Sequence, residues 1–307
     1  MESSKARAAV FILMGQSNAV GHGLPMTDAD KITVPMQNVF GLRREQNQSY
    51  DSTRLCWSGW TSAGTNLAEE QDDTYSVANC LARVWQDEID GGNPAGLPDL
   101  YIVHIAIGAQ GVTEGYMWHP DREPVLVPGK LGTVNISLYP FAEHVFTLMG
   151  ENFAALGLTP DYMGIHWRGG ENDTTVPSDQ LAEILPGLYR RIFDGFRTAL
   201  GEEVPVILHR IVCPERCLDM DPSGRSLESM HCINRVFEQL CAEQAHMTLF
   251  DPRTAPYFVP NVRGNGIFKE DVVHFTPEMN CWTAEEILKA YKAHQSRDAV
   301  EKEGEQA

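Results

Sequence analysis

The segment Gly15-Gln16-Ser17-Asn18-Ala19-Val20-Gly21 sets a serine between glycines directly after an apolar run. A serine so placed stands on a tight turn with its hydroxyl exposed. Backbone N–H groups at such a turn can face an oxyanion. A serine there can equally cap a helix, so this heptad alone leaves nucleophile and cap evenly matched. Near the other end, Asp271-Val272-Val273-His274 precedes Phe275-Thr276-Pro277, where a helix is expected to start. A carboxylate three residues before an imidazole can reach back to Nδ1. That fixes the tautomer and leaves Nε2 to take a serine proton. The alternative is a histidine held in a local cap or loop hydrogen bond. Of the 10 histidines, His274 alone has an aspartate three residues earlier. A third block, Trp167-Arg168-Gly169-Gly170-Glu171-Asn172-Asp173, also follows an apolar run. Its glycines let a ligand approach the backbone. Asn172 can aim an amide N–H at an oxyanion, and Glu171 can orient neighbours. A Gly-Asn turn that merely closes a strand is the plain alternative.

Together the three blocks resemble the SGNH-hydrolase superfamily. Within it they look most like the sialate O-acetylesterase and carbohydrate esterase family 6 group. That group carries GQSN-x-x-G, matched by Gly15–Gly21; W-x-Q-G-E-x-D, represented by Trp167–Asp173; and DxxH, represented by Asp271–His274. The resemblance runs in order over nearly the whole chain. It implies a flavodoxin-like three-layer α/β/α sandwich and a metal-independent serine esterase, without cofactor, that removes acetyl groups from sugars. It makes Ser17 the nucleophile, His274 the general base and acid, and Asp271 its orienter. The oxyanion hole would use the Ser17 and Gly108 N–H groups, Gly108 lying in Ala106-Ile107-Gly108-Ala109-Gln110-Gly111. Two residues depart from the pattern. Gly169 stands where the group has Gln, and Ala109 where a second Gly is usual. The stretch Gly170–Asp173 reads as the wider superfamily's GxND, which offers Asn172 as the missing donor; Gln110 is a second candidate amide. Gln16, Asn18, Gln110, Trp167 and Glu171 are expected to line or support the substrate site.

These blocks need strands to present them. Apolar runs at Ala9–Met14, Leu100–Ile107, Tyr162–Trp167, Val204–Val212 and Met247–Phe250 are nearly continuous, as in strands buried on both faces of a parallel sheet. Helical spacing marks Val77–Ile89, Phe141–Leu156, Leu181–Leu200, Leu227–Ala245 and Thr283–His294, with Ser226 as a cap. The alternation predicts an α/β fold with a central, mostly parallel five-stranded sheet. Gly21–Gln71 and Gly108–Leu138 are long loops after strands, where such folds build their sites. Trp57, Trp60, Tyr116, Trp118 and His119 in them either face a sugar or an acyl chain, or anchor the loops. His104, His166 and His209 read as core residues, while Arg168 and Arg210 are candidates for ion pairs with nearby acids. A single domain over residues 1–298 is expected, followed by a disordered acidic tail at 299–307.

The chain has 307 residues, 42 acidic against 24 basic, a formal net charge of −18. Such a surface repels phosphate backbones and anionic membranes, so nucleic acid is not an expected partner. A small-molecule or glycan ester is. The first apolar run is short, with no cleavage site after it, and no run is long enough to span a membrane. The expected location is therefore cytoplasmic. The 7 cysteines have no zinc-ligand spacing; reduced, buried thiols are the preferred reading, and three disulfides with one free thiol the alternative if the protein is exported. Two other readings compete: an SGNH lipase or thioesterase acting on a non-sugar short-chain ester, and a catalytically weak sugar-binding relative.

Overall fold

Alternate residues of the first apolar run enter two different cores. Ala8, Val10, Ile12 and Met14 pack into one, and Ala9, Phe11 and Leu13 into the other. Only a strand with covered faces on both sides does this. The computed structural model describes residues 6–48, 50–64, 66–68, 73–129, 132–201, 204–212, 226–259, 267 and 273–305.

Along the chain the strands are β1 (Ala6–Gly15), β2 (Val39–Leu42), β3 (Trp57–Gly59), β4 (Asp99–Ala106), β5 (Val125–Gly129), β6 (Gly132–Ile136), β7 (Leu158–Arg168), β8 (Val206–His209) and β9 (Met247–Phe250). The α-helices are α1 (Ser17–Val20), α2 (Arg44–Asn47), α3 (Val77–Asp90), α4 (Leu138–Ala155), α5 (Ser178–Leu200), α6 (Leu227–Glu243) and α7 (Pro277–Glu305). The main sheet runs β3-β2-β4-β1-β7-β8-β9. Every pairing is parallel except β2 with β3. One core is completed by α4, α5 and α6, the other by α3 and α7. The result is the expected α/β/α sandwich with β1 at its centre.

The sheet has seven strands where the apolar runs predicted five. The additional pair, β2 and β3, lies inside the long Gly21–Gln71 stretch. At Gly41 in β2, a Cβ would lie 2.6 Å from the Trp60 ring. Glycine there makes room for Trp60 and interrupts the apolar run. A separate antiparallel hairpin, β5 with β6, occupies part of Gly108–Leu138.

The helices follow the predicted faces. Along α5, Leu181, Leu185, Tyr189, Ile192, Phe193, Phe196 and Leu200 are buried. Burial of each such side chain contributes roughly 1.5–3 kcal/mol. Ser226 caps α6, accepting from the Ser229 N–H at 3.2 Å. Pro277 opens α7, with the Thr276 hydroxyl accepting from Met279 N–H at 3.2 Å. Where the sequence suggested a loose tail, α7 continues to Glu305.

Candidate active site

β1 ends where no side chain fits. Gly15 has φ +138°, and a Cβ on it would lie 1.9 Å from the Arg168 carbonyl oxygen on β7. The close approach lets Gln16 N–H donate to that carbonyl at 2.9 Å. The single turn α1 begins at Ser17. It is closed by the N–H groups of Gly21 and His22, each 3.0 Å from the Ser17 carbonyl. Gly21 has φ +80°, and a Cβ there would meet Ser76 N at 2.8 Å. Ser17 is 8% exposed, more than either flanking residue.

Both flanks of Ser17 are held from β7 and its loop. The Glu171 carboxylate accepts from Gln16 Nε2 and from Asn18 Nδ2, each at 2.7 Å. Bonds to an ionised group are worth about 1.5–3 kcal/mol apiece. Arg168 repeats the grip through the backbone. Its carbonyl takes Gln16 N–H, and its Nη1 donates to the Asn18 carbonyl at 3.0 Å. Burial lowers the Arg168 pKa to about 10, so it stays charged at neutral pH. Among the described residues it forms no ion pair, and its side-chain hydrogen-bond partners there are neutral.

Asn18 then reaches the far end of the chain. Its Nδ2 also donates to the Val273 carbonyl at 3.1 Å, and its Oδ1 accepts Phe275 N–H at 3.2 Å. Those are the residues on either side of His274. The His274 ring lies 5.0 Å from that of His22, centroid to centroid. Arg168 sits 4.7 Å from the Phe275 ring centroid and donates from Nη1 to Asn280 Oδ1 at 2.9 Å. Asn280, in the first turn of α7, donates in turn to the Tyr75 carbonyl at 2.8 Å. Ser17 and His274 thus belong to one hydrogen-bonded frame. Asp271 lies outside the described residues.

The loop after β4 joins the frame through Asp173. This buried carboxylate accepts Val112 N–H at 3.1 Å, Thr113 N–H at 3.0 Å and the Thr113 hydroxyl at 2.8 Å. Burial raises its pKa against these bonds. Gly111 is required beside it, since a Cβ would lie 2.4 Å from Asp173 Oδ1. Gln110 Oε1 accepts Met117 N–H at 3.0 Å, and Tyr116 OH donates to the Asn172 carbonyl at 3.4 Å. Gly108 opens this loop. Among the described residues, none hydrogen-bonds the Asn172 side-chain amide. At Ala109, φ is +57°, the conformation that favours the glycine usual at this place.

Ser17, Gln16, Asn18 and Glu171 therefore meet, with Gly108, Gln110 and Asn172 on the adjoining loops. Trp167 does not face the site. It is fully buried against Trp118, Tyr189 and Phe193. A Cβ on Gly169 would lie 3.3 Å from its ring. The loop tryptophans are anchors: Trp57 bonds Asn152, Trp60 bonds Asn79, and Trp118 Nε1 donates to the Gly15 carbonyl at 2.9 Å. His104 Nε2 lies 2.9 Å from the Ala19 carbonyl. His166 Nδ1 and His209 Nε2 are 3.1 Å apart in the core. Desolvation, then the charge of Arg168, pushes His166 down to about 3 and His209 well below its usual value. Arg210 does pair with acids, Glu238 at 2.5 Å and Asp251 at 3.0 Å. Sequence reasoning missed His22, Asn280 and the side-chain roles of Arg168 and Asp173. Arg168 and Asp173 stand inside a motif; the other two carry no local signal. Among the described residues, no group of three His, Cys, Asp or Glu could hold a metal ion, and no helix is long and apolar enough to cross a membrane.

No protein-family model matches the sequence, and no curated protein matches it. The solved structure of NanS aligns with 95% of this chain and 99% of its own, with a TM-score of 0.58 and 14% identity. The chain shares the fold of that protein. A carbohydrate acetylesterase from Xanthomonas citri aligns with 92% of this chain and 54% of its own, at 12% identity and TM-score 0.47. Est24, a carbohydrate acetylesterase from Sinorhizobium meliloti, covers 94% of this chain and 99% of its own, at 12% identity and TM-score 0.44. At these identities the likeness is one of fold. In this fold the Ser17 turn, Gly108 and the Glu171–Asp173 loop all follow the carboxyl ends of central strands, where open α/β sheets bind ligands.

Proposed function

We propose that the protein is a serine esterase that removes O-acetyl or other short acyl groups from a carbohydrate. The observation that carries this reading is the Asn18 side chain. It bonds the residues on both sides of His274 while its own backbone is the next link after Ser17. Nucleophile and base from opposite ends of the chain are thereby tied to one side chain, and Glu171 fixes that side chain.

In this mechanism Ser17 Oγ attacks the ester carbonyl as His274 takes its proton, with Asp271 orienting the imidazole. The oxyanion lies against the Ser17 and Gly108 N–H groups and the Asn172 amide. Asn172 is preferred to Gln110 because its neighbours on both sides, Glu171 and Asp173, are fixed by hydrogen bonds. The alcohol departs with the proton from His274. Water then attacks the acyl-enzyme, His274 acting first as base and then as acid, and Ser17 is released. The resemblance of the three motif blocks supports the acetylated-sugar substrate.

The test is hydrolysis of p-nitrophenyl acetate beside longer acyl esters and O-acetylated sugars. Ser17→Ala and His274→Ala are each expected to lower kcat/KM about a thousandfold or more. Equal rates in all three proteins would overturn the mechanism. Preference for longer acyl chains would favour the lipase reading.

A further inference from the structure

Two thiols outside this site face each other. Cys80 Sγ on α3 lies 2.9 Å from Cys281 Sγ on α7. Their sequence separation is 201 residues, so the pair joins segments far apart in the chain. The register is set beside them. Asn280 bonds the Tyr75 carbonyl, and Ser76 caps α3 by accepting from Asn79 N–H. Each cysteine thus sits in the opening turns of its helix, and the two openings are tied together.

We propose that Cys80 and Cys281 are a thiol pair that closes to a disulfide with a small-molecule disulfide, such as glutathione disulfide, as oxidant. Closure needs the sulfurs to approach by about 0.9 Å. The two cysteines differ in access: Cys80 is buried, Cys281 only half-buried. Cys281 is therefore the attacking group and Cys80 the resolving one. The charge environment agrees. The Cys80 thiol donating to Cys281 lowers the Cys281 pKa, helped by Arg83 and opposed by burial, Glu285 and Glu278. The same contact and burial raise that of Cys80. The Cys281 thiolate attacks one glutathione sulfur and expels a glutathione thiolate. Cys80 then gives up its proton and attacks Cys281 Sγ, expelling the second glutathione. Two protein S–H bonds are lost and one S–S bond forms. Two molecules of glutathione thiol carry away the protons and the electrons.

The full chain is equilibrated with reduced and oxidised glutathione at graded ratios, alkylated and mapped by mass spectrometry. The expected product is one cross-linked peptide pair holding Cys80 and Cys281, reversed by dithiothreitol. Closing so long a loop constrains the unfolded chain, so Tm is expected to rise by about 5 °C. Cys281→Ser, at the more exposed position, is expected to abolish both the link and the Tm gain. Cys80→Ser is expected to trap Cys281 as the glutathione mixed disulfide. Free alkylation of both cysteines at the most oxidising ratio would overturn the proposal. So would glutathione retained on wild-type Cys281 with no link to Cys80.

Discussion

Ser17 is flanked by two amides that share one carboxylate, and this makes Glu171 a sensitive position. In Glu171→Gln one acceptor oxygen becomes an NH2 group facing another NH2 group, on Gln16 or on Asn18. The Ser17 turn and the His274 segment then lose their common reference. We expect kcat to fall about tenfold to a hundredfold with KM changed less than about twofold, because the loss is one of alignment. Steady-state kinetics on p-nitrophenyl acetate check this; an equal rise in KM would mean that Glu171 contacts substrate. The importance of Glu171 was legible in the sequence, because it stands two residues from Gly169 within a recognisable block. That of His22 and Asn280 was not. Each acts through a contact whose partner is distant in the chain, and no local spacing encodes it.

At the scale of elements, the loop after β4 carries a strained residue. Ala109 holds φ +57° without glycine's freedom. Ala109→Gly is expected to stabilise the protein by about 1 kcal/mol, read as a shift of the denaturation midpoint at unchanged slope. The central strands and large helices could be read from apolar periodicity, since burial on both faces leaves a continuous signal. β2 and β3 could not. Val39–Leu42 is four residues long and broken by Gly41, whose absent side chain is what admits Trp60. The same packing decides the loop aromatics. Composition cannot distinguish a tryptophan facing solvent from one that anchors its loop, because both lie between polar residues. The third block was misread at Trp167 for a related reason, as its ring turns into the core between α5 residues.

For the molecule as a whole, the buried His166–His209 pair sets an acid limit on stability. Both pKa values are lowered by desolvation, so the folded protein leaves these rings neutral at pH values where the unfolded chain protonates them near 6.5. Stability from this source is complete above that value and is lost as pH falls below it. Asp173, whose pKa is raised by burial, acts the opposite way. Denaturant unfolding is expected to show a loss on the order of 2 kcal/mol between pH 6 and pH 5. A flat profile there would mean that the pair is charged in the folded state.

The position of β1 also bears on how the chain is made. It leaves the ribosome well before both its neighbours, β4 and β7. A nascent strand with eight successive buried residues must wait for them. The clasp between Asn18 and Phe275 spans 257 residues and forms later still. Contacts of such high order fold slowly and leave apolar surface uncovered in the meantime. The segment that organises the finished fold is thus the one most exposed to aggregation during synthesis.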